Sequence, residues 1–223
     1  VSGLIEFERK FFAGIDFGQV NDWTPIAVIE RIRPVVRVGI HHGLVSQAKH
    51  EVKQIPTRLD LVHLERIPLG TLYPVQARHI AGLLKSPVLD GVQSYVDITG
   101  VGRGPYDMLK ELKVRDLHGI TITGSRGAAK RHPQGWSVGK AELVNAIQIE
   151  MQTGRLRIAT QLELFSVLER ELMEFRAKIN DHGHMTFNAR EGKHDDLVLS
   201  VGYAVFGALL PTPVTSIDLR MPA

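Results

Sequence analysis

Apolar residues fall along this chain in two rhythms, one strand-like and one helical. Residues 11–17 (FFAGIDF) put aromatic and β-branched side chains ahead of Gly18 and read as a strand. Residues 25–33 (PIAVIERIR) read as a second strand and 35–45 (VVRVGIHHGLV) as a third, with Arg33 and Pro34 as a tight connection between them. LVHLERIPL, at 61–69, reads as another short strand. From Tyr73 the spacing turns helical, and YPVQARHIAGLL predicts a helix over 73–84. The pattern then alternates: strand 92–97, helix 105–112, strand 119–123, helix 138–152, short strand 156–159 and amphipathic helix 161–174. Residues 174–190 read as a hairpin turning at DHGH, and a long apolar helix runs from Asp195 to Leu209. An antiparallel meander followed by strand–helix alternation and a closing helix predicts an α/β domain. Its mixed sheet has three antiparallel strands first and parallel strands after, flanked by helices. One domain is expected over 1–210, with 211–223 (PTPVTSIDLRMPA) as a flexible Pro-rich tail.

Composition narrows the reading only a little. The 223 residues suit one large domain or two small ones, and 43% hydrophobic residues suffice for a sizeable core. A net charge of +3 does not by itself indicate nucleic acid, but basic residues cluster in SRGAAKRHPQGWSVGK. With no cysteine, disulfides and thiolate metal sites are excluded, and a cytosolic setting is compatible. The apolar run from Leu197 to Leu210 is about fourteen residues, short of a membrane span. No signal peptide is visible, and the chain opens on Val1 rather than Met, which leaves it open whether this is a fragment or a processed chain and whether another domain belongs upstream.

Carboxylates change the picture most. Asp16 sits inside the apolar run FFAGIDFGQ, Asp97 closes VQSYVD, and Asp195 and Asp196 open the apolar helix HDDLVLSVGYAVFGALL. Each has a bland explanation: a turn former before Gly18, a strand-end cap, and acids favoured by a helix dipole. Asp is disfavoured within a strand, however, and a desolvated carboxylate needs a partner. If the fold gathers these acids, their repulsion calls for a cation, and Mg2+ or Mn2+ bound by oxygen is the natural one. A carboxylate cluster holding two such ions is a phosphodiester-cutting site. Adjacent helical residues point about 100° apart, so the register leaves Asp195 and Asp196 both in play, with Asp196 slightly favoured as the primary ligand. Asp90 and Asp107 are nearby alternatives to Asp97, and Asp22 reads as a turn residue with Asn21.

The motifs IDFGQVNDWTPIAVIE, VDITGVG and HDDLVLSVGYAV, in this order, resemble the RNase H-like superfamily and, more particularly, the C-terminal nuclease domain of the large terminase subunit of bacteriophages and prophages. The likeness spans about Phe11 to Leu209. It implies a metal-dependent endonuclease that cuts concatemeric viral double-stranded DNA during packaging, with Asp16 bridging two Mg2+ or Mn2+ ions and Asp97, Asp195 and Asp196 completing the ligands. It implies as partners an ATPase motor domain, a small terminase subunit and a portal, with no membrane, in the cytoplasm of an infected or lysogenic bacterial host. The ATPase phosphate loop is absent: in QGWSVGKAEL, Gln134 replaces the first glycine and Ala141 the Ser or Thr after Lys140. GVGRGP likewise fails as a dinucleotide fingerprint at Pro105.

Auxiliary roles are open. His194 either orients a water or phosphate or is an exposed flank. Lys140 either meets phosphate or is a solvated lysine, the default. Arg126, Lys130 and Arg131, in a Gly-rich loop, and Arg103 suit phosphate contacts that set position without reading sequence. His41, His42, His182 and His184 show no ligand spacing. Two other functions fit the same acids: a Holliday junction resolvase or transposase core, and a non-catalytic interaction module of a packaging machine.

Overall fold

The computed structural model describes residues 5–36, 55–124, 127–176 and 195–211. Its strands are β1 (Ile5–Ile15), β2 (Thr24–Val36), β3 (Arg58–Ile67), β4 (Gln93–Asp97), β5 (Leu117–Thr123), β6 (Lys130–His132), β7 (Gly135–Gly139) and β8 (Leu156–Ile158). They form one sheet in the order β6-β7-β5-β4-β1-β2-β3-β8. The first three pair antiparallel, whereas β4 joins β1, β5 joins β4 and β7 joins β5 in parallel. This is the mixed sheet anticipated above, an RNase H-like arrangement.

β1 begins well before residue 11. Its first half, IEFERK, is rich in charge and is held to β2 by cross-strand ion pairs, Arg33 to Glu8 at 2.7 Å and Arg9 to Glu30 at 2.9 Å. β2 does not turn at Pro34; it runs straight through, with Pro34 opposite Phe7 of β1. Among the described residues, pairing with β3 stops at Ile32, so the missing N–H of Pro34 costs no bond of that ladder. The third antiparallel strand is therefore β3 rather than 35–45; of that segment, 35–36 end β2 and 37–45 lie outside the described residues. The hairpin β6–β7 falls where a Gly-rich loop and a helix start were expected.

The helices are α1 (Tyr73–Leu84), α2 (Arg103–Glu111), α3 (Lys140–Gln152), α4 (Phe165–Arg176) and α5 (Asp196–Leu209). The expected hairpin at 174–190 is contradicted at its start, where residues 174–176 finish α4; 177–190 and 212–223 lie outside the described residues. α1 and α2 cover one face of the sheet, packing Ala77, Ile80, Leu84, Tyr106 and Leu109 on Ala13, Ile15, Ile26 and Val96. α3, α4 and α5 cover the other, around Phe12, Ala27, Ile29, Tyr95 and Ile120. α5 is apolar all round because it is enclosed: every residue from Asp196 to Ala208 is buried. Each such Leu, Val or Phe contributes about 1.5–3 kcal/mol by leaving water. No helix among the described residues is long and apolar enough to cross a membrane.

Candidate functional site

Strand alternation aims the first two acids. Ala13 and Ile15 pack on the α1–α2 side, so Gly14 and Asp16 face α5. In β4, Val96 packs with α1 and α2, whereas Tyr95 packs with α5, which turns Asp97 the same way. β1 and β4 are parallel neighbours with Ile15 opposite Val96, so Asp16 and Asp97 stand side by side at the carboxyl ends of adjacent strands.

Glycine brings the other two acids in. A Cβ on Gly14 would lie 1.9 Å from the Ser200 carbonyl oxygen and 2.7 Å from the Ala204 nitrogen, so α5 crosses β1 backbone to backbone. That approach delivers its start, Asp195 as the residue before the helix and Asp196 as the first within it, to the strand ends.

Asp97 is held by both oxygens. The Thr99 N–H donates to Oδ1 at 2.7 Å and the Tyr203 hydroxyl to Oδ2 at 3.2 Å. A Cβ on Gly102 would be 2.1 Å from the Asp97 carbonyl oxygen, so the TGVG turn folds back onto Asp97 itself. Lys140 opens α3 directly after β7, and its Nζ lies 2.5 Å from Asp195 Oδ2. The solvated lysine taken as the default is thus corrected: Lys140 belongs to the acid cluster. Around the loop after Asp16, the Thr24 hydroxyl accepts the Gly18 N–H at 2.9 Å, and the Gln76 amide donates to the Gly18 carbonyl at 2.8 Å and the Thr71 carbonyl at 2.7 Å. The motif threonine is therefore a strut for the loop.

The electrostatics follow from this crowding. Burial pushes the Asp16 carboxyl well above its ordinary value, and Asp97, Asp196 and Asp195 push it further against the opposing pull of Lys140. Burial also raises Asp97, offset by its hydrogen bonds from Thr99 and Tyr203 and by Lys140. The Tyr203 phenol is driven well up, by burial first and then by Asp16 and Asp97. Sequence reasoning missed Glu171, a buried acid on α4. Its Oε2 accepts the Val198 N–H at 3.2 Å and its Oε1 pairs with Arg66, while burial raises it to about 7. The signal was present: Glu171 occupies an apolar position in the stripe of Leu164, Leu168 and Leu172.

Asp16, Asp97, Asp195, Asp196 and Lys140 are thus brought together. Asp196 is 8% exposed and buried with the acids, whereas Asp195 takes the lysine, so each of the pair contributes. His194 and Arg126 lie outside the described residues, as do His41, His42, His182 and His184. Arg103, Lys130 and Arg131 are exposed, and their side-chain contacts are not with the acids: Arg103 donates to Gln134 at 3.3 Å, and Arg131 lies 5.9 Å from the Trp136 ring centroid. Asp90 and Asp107 pair instead with Arg115 and Lys110 on the surface. Among the described residues no three His, Asp or Glu side chains form a ready-made metal cage. The donor chemistry nevertheless fits a hard divalent cation: clustered carboxylate oxygens, mutually repelling, with Lys140 as a positive charge among them.

No family model matches the chain, and no curated protein matches it. Among solved structures, it is similar to the crystal structure of the large terminase nuclease from thermophilic phage G20c, with a TM-score of 0.54 and 16% identity over 89% of this chain and 82% of that one. At that identity the likeness is one of fold, and it bears out the fold expected from the three acidic motifs.

Proposed function

We propose that this chain is a metal-dependent endonuclease that cuts double-stranded DNA, serving the cutting of viral concatemers during genome packaging. The observation that carries the reading is the convergence of Asp16, Asp97, Asp195 and Asp196, from three distant stretches of sequence, on one end of the sheet. The shared fold with a terminase nuclease supports it. Asp16, Asp97, Asp195 and Asp196 would hold two Mg2+ or Mn2+ ions. Bound there, such ions supply Lewis-acid charge that lowers the pKa of water and offsets the charge developing on a phosphodiester.

The chain's own residues prepare that chemistry. Thr99 and Tyr203 fix the two oxygens of Asp97 before any cation arrives, leaving further lone pairs for ligation. Burial lowers the local dielectric, so each carboxylate acts more strongly on a nearby charge than it would in water. Lys140 tempers the repulsion in the resting cluster and stands where a phosphate approaching Asp195 would meet a cation. In the packaging reading, the partners are an ATPase motor, a small terminase subunit and a portal.

The test is cleavage of linear duplex DNA with Mn2+, alongside calorimetric titration of the metal. Asp16→Asn and Asp97→Asn should each lower the rate by about 100-fold or more. They should melt no lower than the wild type, since each relieves acid–acid repulsion. Cleavage by Asp16→Asn at the wild-type rate refutes the site. Cutting confined to four-way junctions would favour a resolvase, and no metal binding at all would favour an interaction module.

A further inference from the structure

The start of α5 is tied to the rest of the site by contacts that ligation alone does not require. The Val198 N–H is one of the donors that a helix leaves unsatisfied in its first turn, and it is met by Glu171 Oε2 from α4 at 3.2 Å. The other oxygen of Glu171 takes the guanidinium of Arg66, from β3. Both side chains of this pair are largely enclosed, 13% exposed for Arg66 and 7% for Glu171. Arg66 also lies over the Trp23 ring, 5.7 Å from its centroid. Trp23 ends the loop that begins at Asp16, next to Thr24, whose hydroxyl holds Gly18. One run of contacts, Trp23 to Arg66 to Glu171 to Val198, thus joins the loop after Asp16 to the helix turn that carries Asp196.

We infer that Arg66 and Glu171 are positioning residues: they lock the first turn of α5 against the Asp16 loop and so set Asp196 opposite Asp16 and Asp97. A buried ion pair is costly to maintain and is often replaceable by apolar residues without loss of stability. Its presence here, with one oxygen spent on a ligand-bearing helix turn, is accounted for by orientation. The pair touches neither substrate nor reacting atoms and acts only through α5. Its consequence for the metal rests on the nuclease reading; the clamp itself does not.

The experiment uses the whole chain, with hydrogen exchange at Val198 and titration with manganese alone. Glu171→Met removes both acceptors and should speed Val198 exchange by about tenfold or more. It should also weaken manganese binding about 10- to 100-fold, the usual effect of removing a group that supports a ligand from behind. The rate of DNA cleavage should fall with little change in KM for DNA, because the DNA surface is untouched. Glu171→Gln, with one acceptor left, should recover part of both effects. The double variant Arg66→Met/Glu171→Met should regain melting temperature as a packed apolar pair while remaining weak for manganese, a split that a purely structural role would not produce. Unchanged Val198 exchange in Glu171→Met, or full recovery of metal binding in the double variant, overturns the clamp. A wild type that binds no manganese overturns the nuclease reading instead and leaves Val198 exchange to decide the clamp.

Discussion

Asp16 is held in place against its own charge. Its folded-state pKa lies well above the ordinary 3.8, Asp97 is raised from the same value, and Glu171 sits at about 7 against 4.5. The metal-free folded chain therefore keeps protons that the unfolded chain releases. Stability from these groups is fullest below the ordinary carboxylate range, and it declines as pH rises through the folded values. Glu8 and Glu65, lowered by their basic partners, act with the opposite sign. Comparing the wild type with Asp16→Asn isolates the site: urea unfolding between pH 4 and 8 should show a fall with pH that is clearly shallower in the variant. Manganese binding should release protons, read by calorimetry in two buffers of different ionisation heat, and release fewer in Asp16→Asn. Equal slopes and equal release would mean that Asp16 is not desolvated among acids. These carboxylates were legible because each interrupts or ends an apolar run. Glu171 lies on the apolar stripe of Leu164, Leu168 and Leu172, a signal that the neighbouring charges Glu169, Arg170 and Glu174 in LERELMEF mask. The fold shows that this acid is buried.

Helix α5 depends on one residue of another element. At Gly14 the would-be Cβ meets backbone of the helix on two sides, and backbone cannot rotate away as a side chain can. Gly14→Ala should therefore lower the unfolding free energy by about 3 kcal/mol, the upper range for overpacking, or prevent folding. It should also carry Asp195 and Asp196 off the strand ends. Urea denaturation checks the first effect and manganese titration the second; a wild-type midpoint would show that α5 does not cross β1 so closely. The extents of α1 and α5 were readable from spacing, since each presents a long, uniform pattern. Proline reads as a break in β2, and the tolerance of Pro34 depends on where β3 begins, at Arg58 opposite Ile32, which is a tertiary fact. β6 and β7 were hidden for a similar reason. Three residues in one strand and glycines at both ends of the other carry little strand signal, and β7 exists because β5 pairs along it.

Charge is arranged unevenly over the molecule even though its net value is only +3. The acids gather where β1 and β4 end. The next parallel strands lead to the exposed Lys130 and Arg131 on the edge strand β6, while Arg103, at the start of α2, follows β4 directly through the turn after Asp97. An edge strand bearing Lys and Arg resists pairing with another chain. It also offers cations to a polyanion beside a site that by itself repels one. The two kinds of charge complement each other: carboxylates without counter-charge would drive phosphate off, and exposed basic residues supply attraction that needs no base sequence. The expected outcome concerns salt. In an Asp16→Asn background without added metal, which keeps the duplex intact, binding should weaken steeply between about 50 and 200 mM salt. Replacing Arg103, Lys130 and Arg131 together by Gln should make the slope of log affinity against log salt shallower by about 2 to 3, close to one unit for each phosphate no longer neutralised. Manganese affinity should stay unchanged, because none of the three touches the acids. Fluorescence anisotropy with a labelled duplex reads the slope. An unchanged slope would place the DNA track elsewhere on the surface, while a change confined to one duplex sequence would mean that these residues read bases.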